Sequence, residues 1–268
     1  MRVRPILILS MMPFGIVTNA PAARTGDVLF HDEFSGAAMS AALWHIPTWV
    51  PDGATFAGRT QFRVAQSSGL PGVALRHAML GLQSYNPTGS SFLGDELISN
   101  QQFALAAGLD ISYRARMSTA RQCGVVGGLF VYGLKPSALH DEIDFELITN
   151  LPDQVQTNIY GNEALGVGRP VLVALPSGTI GDEHEYEIRW TAGMVTWLVD
   201  GKSVRSVTGG IPTGPANIYL NIWATSADWR AAYCTGIAPV RSIADNVLIG
   251  NLAVAGVHAA RLPSDLAK

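Results

Sequence analysis

Residues 139–148 read LHDEIDFELI, and apolar and acidic side chains alternate along most of this stretch. The alternation predicts a β-strand with three apolar side chains on one face and three carboxylates on the other. The apolar face would carry Ile143, Phe145 and Leu147, and the acidic face Glu142, Asp144 and Glu146. Crowded carboxylates repel one another, and acidic residues are disfavoured in strands. Because apolar stretches flank the segment, we expect the strand to lie inside a sheet rather than at a solvated edge.

The spacing of the acids suits the hydrolysis of glycosidic bonds. At ~3.3 Å per residue, the α-carbons of Glu142 and Glu146 lie about 13 Å apart. Two long side chains leaning together can bring their carboxyl groups to ~5–5.5 Å, the separation found in retaining glycosidases. In such enzymes one carboxylate attacks the anomeric carbon and the other protonates the leaving oxygen. Asp144, between them, can share a proton with the nucleophile and help to keep the general acid protonated.

Short segments of period two recur along the chain and predict an all-β fold. They occupy residues 110–117, 185–190, 194–199, 203–207 and 217–223. Asp200-Gly201 lies between two of them and is a common hairpin-turn dipeptide. Many short strands without intervening helices indicate a β-jelly-roll sandwich of two antiparallel sheets.

Composition narrows the class of partner. Charged residues make up 15% of the chain, below the ~25% usual for soluble domains. The net charge of −3 and the lack of a Lys/Arg cluster argue against a nucleic-acid partner. A neutral partner fits this balance better. We also find no metal-ligand spacing among the histidines, no phosphate-binding glycine loop and no nucleophile-elbow serine.

The N-terminal residues have the pattern of an export signal. Two arginines precede an apolar run from Ile6 to Val17, and small residues follow at 18–20. We predict a signal peptide over residues 1–23, one catalytic domain over 24–258 and a C-terminal tail over 259–268. The mature protein would then be secreted or periplasmic, without membrane attachment.

Cys123 and Cys234 are the two cysteines of the chain. A disulfide is permitted in an exported protein, and so are two unrelated buried thiols. Both interpretations stay open at this point.

At the acidic stretch the sequence resembles glycoside hydrolase family 16, the clan of lichenases, laminarinases and xyloglucan endotransglycosylases. The family's acid–aliphatic–Asp–apolar–Glu signature is similar to EIDFE at 142–146. Other similar stretches, in the same order along the chain, are LFHDEFSG at 29–36 with Trp44, GDELIS at 94–99, HEYEIRW at 184–190, WLVDG at 197–201 and LNIW at 220–223.

The resemblance implies a concanavalin-like jelly roll whose concave face forms an open cleft for an extended glucan. By motif position Glu142 is similar to the nucleophile, Asp144 to the assisting acid and Glu146 to the acid/base. Glu96, Trp223 and Trp229 fall where the family binds sugars, which agrees with the stacking of aromatic rings on pyranoses. His140 is expected either to aid substrate binding or to lie at the cleft mouth. Trp190, Trp197 and His184 are expected to be mainly structural.

Taken together, the sequence predicts a retaining endo-β-glycosidase acting on β-1,3/1,4-linked glucan or a related exopolysaccharide. Transglycosylation on β-glucan stays open, because a sugar hydroxyl can intercept the same intermediate. A lectin-like binding protein is a further alternative, although a binder needs no crowded acids. No cofactor is expected; family members often hold a structural calcium, for which Asp245 is a candidate ligand. We expect a monomer.

Overall fold

The computed structural model describes residues 26–48, 60–62, 71–84, 92–104, 108–117, 124–164, 167–225 and 247–263. The predicted signal peptide, Cys123, Cys234, Trp229 and Asp245 lie outside these ranges, so the expectations for them stay predictions. Within the described residues, no helix has the length and apolarity needed to cross a bilayer.

The strands form two sheets that meet at one shared strand. The acid-bearing sheet contains, in spatial order, β11 (Val171–Ala174), β10 (Gln154–Ala164), β9 (Leu139–Ile148), β8 (Val125–Leu134), β15 (Ala216–Ala224) and β6 (Phe92–Phe103). The opposite sheet continues from β6 with β5 (His77–Ser84), β16 (Val247–Arg261), β7 (Leu109–Met117), β12 (His184–Trp190), β13 (Val195–Val199) and β14 (Lys202–Val207). The predicted all-β sandwich is therefore confirmed.

Shorter elements complete the described part of the fold. These are β1 (Val28–Asp32) on β16, β2 (Trp44–His45) and β3 (Thr60–Phe62) on β6, β4 (Gly72–Ala74) on β5, and a 3₁₀ turn (Pro136–Ala138) between β8 and β9. The pairing of β3 with β6 is parallel, whereas the neighbours in both main sheets pair antiparallel.

The core lies between the two sheets and is formed by one side of each strand. Ile143, Phe145 and Leu147 on β9 are all 0% exposed. The ring of Phe145 meets that of Tyr186 on β12 at 5.3 Å between centroids, so the core side chains of the two layers interlock. Packing of this kind, rather than strand propensity, gives a sandwich most of its stability.

Two local contacts explain motifs that the sequence displayed. The Trp44 indole donates to Asp32 Oδ2 at 2.8 Å, which ties the N-terminal strand to the segment that follows it. In the hairpin between β13 and β14, Asp200 and Gly201 have positive φ angles of 50° and 74°, as a two-residue type I′ turn requires. Asp200 Oδ2 also lies 2.7 Å from His184 Nδ1, whose other ring nitrogen contacts the Thr179 carbonyl. The structural role expected for His184 is confirmed.

The C-terminal boundary differs from the prediction. β16 continues through residue 258 to Arg261, and Ala259 and Ala260 are buried. Small apolar side chains at the end of a strand that pairs with β1 and β7 belong to the core. The predicted tail at 259–268 therefore begins too early, because a run of Ala and His carries little visible period-two signal.

Candidate active site

The acidic stretch forms β9, an inner strand of its sheet. It pairs with β8 on one side and with β10 on the other, so its backbone is hydrogen-bonded along both edges. Its apolar side chains enter the core, and the acids therefore project from the opposite face. The strand, its bounds and its position inside the sheet are as the sequence predicted.

Three rows of directly opposed residues cross the sheet, one through each acid. From β10 to β6 they are Tyr160–Glu142–Tyr132–Asn217–Gln102, then Asn158–Asp144–Phe130–Tyr219–Ile98, then Gln156–Glu146–Gly128–Asn221–Glu96. Opposed residues in antiparallel strands share a face and have β-carbons about 4.5–5.5 Å apart. The rows place aromatic rings around the first two acids and polar side chains around the third.

Asp144, in the middle row, is the most enclosed of the three acids. It is 3% exposed, and within the described residues its Oδ1 atom has no hydrogen-bond partner. Burial raises the pKa of Asp144 well above its ordinary value of 3.8, and the charges of Glu146 and Glu142 raise it further. Arg205 and a backbone hydrogen bond at Asn158 act in the opposite direction without reversing the shift. In its protonated form Asp144 can donate a hydrogen bond to a neighbouring carboxylate.

Glu142 lies beside a buried histidine. His140 Nε2 is 3.1 Å from Glu142 Oε2, but the angles are not those of a hydrogen bond. The imidazole lies between the rings of Tyr132 and Tyr160, at centroid distances of 5.1 and 4.4 Å. His140 is therefore buried under the tyrosines rather than exposed at a cleft mouth, and its contact with substrate stays a prediction.

The tyrosines around Glu142 remain protonated. Burial raises the pKa of Tyr132 and of Tyr160, and the negative charge of Glu142 raises both further. Burial also raises the pKa of Tyr219, and the charge of Glu96 raises it further. Each hydroxyl can therefore serve as a hydrogen-bond donor near the acids.

Glu146, in the third row, has an amide on one side and a glycine on the other. The side chain of Gln156 donates from Nε2 to Glu146 Oε2. On the other side a β-carbon at Gly128 would lie 2.4 Å from Asn221 Oδ1. Because Gly128 has no side chain, the Asn221 amide can lie over the backbone of Gly128, between Glu146 and Glu96 in the row.

Glu96 lies on the predicted face, at the β6 end of the third row. Its Oε2 atom accepts a hydrogen bond of 3.1 Å from Asn221 Nδ2, and both side chains are buried. Trp223 is also on this face, two residues beyond Asn221, but it is 1% exposed and packs with Phe62, Val126 and Ile148. Sugar contact by Trp223 stays a prediction. Sugar binding by Glu96 stays a prediction.

Two tryptophans of the opposite sheet are core residues. Trp190 and Trp197 are both fully buried, which fits the structural role expected of them. The Trp197 indole donates to the backbone carbonyl of Asp144 at 2.9 Å, and the Arg205 guanidinium lies 4.7 Å from the centroid of the Trp197 ring. The second layer therefore anchors the backbone of the acid-bearing strand at its middle acid.

Comparison with known proteins agrees with this geometry. Residues 76–236, more than half of the chain, match the family model "Glycosyl hydrolases family 16". The chain belongs to glycosyl hydrolase family 16. The matched range contains all three acids as well as Glu96, Trp223 and Trp229, so the resemblance drawn from the sequence motifs is confirmed.

Curated relatives match over part of their length. The beta-glucanase of Bacillus subtilis is 33% identical over 132 residues, which are 48% of this chain and 53% of the relative. A probable xyloglucan endotransglucosylase/hydrolase, protein 27 of Arabidopsis thaliana, is 32% identical over 146 residues, 51% of this chain and 41% of the relative. The chain thus spans about half the length of these family 16 relatives or less.

Solved structures show the same fold. The beta-glucanase of Bacillus licheniformis superposes with a TM-score of 0.66 at 24% identity, covering 88% of this chain and 99% of that one. The endo-beta-1,3-glucanase of Pyrococcus furiosus gives a TM-score of 0.66 at 16% identity, covering 88% and 95%. The family 16 jelly roll is therefore shared across most of the chain.

The described residues contain no group of three His, Cys, Asp or Glu side chains arranged to hold a metal ion. Asp245, the residue considered for the calcium that family 16 members often hold, lies outside the described ranges. Calcium binding by this chain stays a prediction.

Replacing Asp144 with Asn should stabilise the fold at pH 7. Because the pKa of Asp144 is raised in the folded state, the folded chain keeps a proton that the unfolded chain releases, and stability falls as pH rises above the unfolded value. Asp144→Asn should therefore unfold at a higher temperature than wild type at pH 7, with a smaller difference at pH 4. Each kcal/mol corresponds to about 2–4 °C for a domain of this size. Calorimetry at the two pH values measures this, and a midpoint below wild type at pH 7 would contradict it.

Proposed function

We propose that the protein is a retaining endo-β-glycosidase that hydrolyses β-1,3/1,4-linked glucan or a related exopolysaccharide. The observation that carries the proposal is the acid ladder: three carboxylates on one face of an inner strand, with the middle one buried. A binding protein has no use for this arrangement, because crowded carboxylates cost stability. In a retaining glycosidase the same crowding separates an ionised nucleophile from a protonated acid.

In the first step Glu142 attacks the anomeric carbon while Glu146 gives its proton to the glycosidic oxygen. The bond between the anomeric carbon and that oxygen breaks, and a covalent glycosyl ester forms on Glu142. Burial raises the pKa of Asp144, and in its protonated form Asp144 can donate a hydrogen bond to the nucleophile's carboxylate and so fix its orientation. His140, 3.1 Å from the same carboxylate, limits its movement from the other direction.

In the second step water replaces the leaving group. Glu146, now ionised, takes a proton from the water as it attacks the anomeric carbon and releases Glu142. Two displacements at one carbon return the product to the β configuration. Gln156 contacts Glu146 throughout, because the two residues are directly opposed on neighbouring strands.

The substrate proposed is a polysaccharide of low charge. None of the residues in the three rows is Lys or Arg, whereas tyrosines and amides are frequent there. Tyr132 and Tyr219 are partly exposed, and their ring centroids lie 5.7 Å apart. Such rings stack on the apolar faces of pyranoses. The relatives named beta-glucanase support a glucan.

Transglycosylation is a second candidate, favoured by the Arabidopsis thaliana relatives whose names include endotransglucosylase. Its chemistry differs from hydrolysis only in the acceptor of the second step. Adding a labelled glucan oligosaccharide during the reaction distinguishes them: transfer products larger than the donor fragments indicate transglycosylation. We further propose that the chain is exported through residues 1–23 and acts as a monomer outside the cytoplasm.

An endo mode of action predicts a particular order of events. Solution viscosity of mixed-linkage β-glucan should fall substantially before reducing ends accumulate, because each internal cut shortens a long polymer. Viscometry and a reducing-sugar assay on the same sample test this, with a panel of other neutral polysaccharides to define the linkage. If glucose is the first product and viscosity falls in proportion to it, the endo assignment is wrong.

A further inference from the structure

The contact between Gln156 and Glu146 is built into the sheet. Gln156 is on β10, directly opposite Glu146 on β9, and it is 1% exposed. Its Nε2 atom donates to Glu146 Oε2. Because the two α-carbons belong to one cross-strand pair in the interior of a sheet, the amide stays within reach of the carboxylate whatever occupies the face above them.

An amide N–H acts differently on the two forms of a carboxyl group. It stabilises the ionised form by a charge-assisted hydrogen bond and gives less to the protonated form. In the proposed reaction Glu146 must be protonated in the first step and ionised in the second. The Gln156 amide therefore favours the ionised Glu146 that acts as base in the second step. As a consequence, Glu146 loses the proton that it needs as acid in the first step at a lower pH.

Other groups around Glu146 act in the opposite direction. Asp144 and Glu142 stand on its own strand, and Glu96 lies in the same row on β6. Tyr160 on β10 feels the charge of Glu146 but stays neutral, and Arg205 on β14 acts on the ladder through Asp144. The members of the third row on β8 and β15 are Gly128 and Asn221, and neither carries a charge. Within this set the acids favour the protonated form of Glu146, and the Gln156 amide opposes them.

We infer that Gln156 is a positioning residue that sets the upper pH limit of activity by holding Glu146 toward its ionised form. This inference rests on the proposed function. Gln156 is not itself a reacting group, since it acts through Glu146. Within the third row, Gln156 donates to this carboxylate from β10, the neighbouring strand.

The test is the pH dependence of kcat/KM in Gln156→Leu, which keeps the size of the side chain and removes the donor. The basic limb, which reports loss of the general acid's proton in the free enzyme, should move to higher pH by about one unit, as expected for one charge-assisted hydrogen bond. The acidic limb should stay in place. With an activated aryl β-glycoside, whose second step limits turnover, kcat at neutral pH should fall several-fold.

Gln154→Leu is the matched control, because Gln154 is the same residue type on the same face of β10, two positions away and opposite Ala174. Its basic limb should coincide with wild type. If Gln156→Leu folds poorly, Gln156→Glu gives a second reading, because a carboxylate there should move the basic limb upward still further.

The outcomes separate the two levels of the proposal. A wild-type protein without activity on any β-glucan or aryl β-glycoside would defeat the proposed function. An active wild type whose basic limb is unchanged in both Gln156 variants would overturn the inference alone. An equal shift in Gln154→Leu would also overturn the inference, because removing any amide from this face of β10 would then have the same effect.

Discussion

Glu142→Ala, assayed with an activated aryl β-glycoside and azide, is expected to yield the α-glycosyl azide. Without the carboxylate no covalent intermediate can form, and activity on polysaccharide should fall by at least the ~10²–10⁴-fold typical of losing a catalytic acid or base. Azide is small enough to enter the vacated space and attack from the face that Glu142 occupied. A single displacement from that face inverts the anomeric centre, and NMR of the product reads the configuration.

Glu146→Ala should behave in the opposite way under the same conditions. Glu142 can still displace a leaving group that needs no proton, so the glycosyl ester forms and accumulates. Azide needs no general base, and it attacks the ester from the other face to give the β-glycosyl azide. Activity on polysaccharide, whose leaving group needs a proton, should fall by ~10²–10⁴-fold and should not be restored by azide.

Glu183→Gln serves as the control for loss of a carboxylate, because Glu183 pairs with Arg114 and His77 away from the ladder. It should keep wild-type activity and make no azide product. The β product from Glu142→Ala with the α product from Glu146→Ala would reverse the two roles. Wild-type product of inverted configuration would exclude the double displacement itself.

Phe145→Ala is expected to cause the largest loss of stability among single changes on the acid-bearing strand. The ring is fully buried and packs edge-on against Tyr186 of the opposite sheet. Removing such a side chain typically lowers the free energy of unfolding by about 3–5 kcal/mol, through lost burial and the remaining cavity. Chemical denaturation with fluorescence detection measures it.

Leu134→Ala on the neighbouring strand is the matched control for Phe145→Ala, because Leu134 is 72% exposed. Its free energy of unfolding should stay within about 0.5 kcal/mol of wild type. A small effect of Phe145→Ala, equal to that of the control, would show that the two faces of β9 are assigned the wrong way round.

The parts of this fold that the sequence predicts are those encoded locally. The bounds of β9, the direction of its two faces and the hairpin turn at Asp200-Gly201 follow from alternation and turn chemistry within about ten residues. The inner position of β9 follows from the apolar stretches on either side. The roles predicted for Glu142, Asp144 and Glu146 rest on a motif that spans only five residues, so the prediction can be made without a structure.

The rest depends on strand register, which the sequence does not display. Asn221 meets Glu96 across two strands that are distant in the chain, and Gln156 meets Glu146 only because β9 and β10 pair in one particular register. The alternation within each strand can assign Tyr132, Tyr160 and Tyr219 to one face of the sheet. It cannot show which of the acids each tyrosine lies beside, because that depends on the register between strands. The covering of Trp223 by Phe62 and that of His140 by two tyrosines are tertiary packing, for which single-strand patterns carry no signal.

All three acids stand on one uninterrupted inner strand, so their mutual spacing is a property of a single extended backbone. The residues beside the acids in the three rows come from neighbouring strands. Segments that connect the strands can therefore be exchanged, lengthened or recombined without altering the spacing of the three acids along β9. For protein engineering this makes the chain a scaffold in which the connecting segments and the acid-bearing strand can be changed independently.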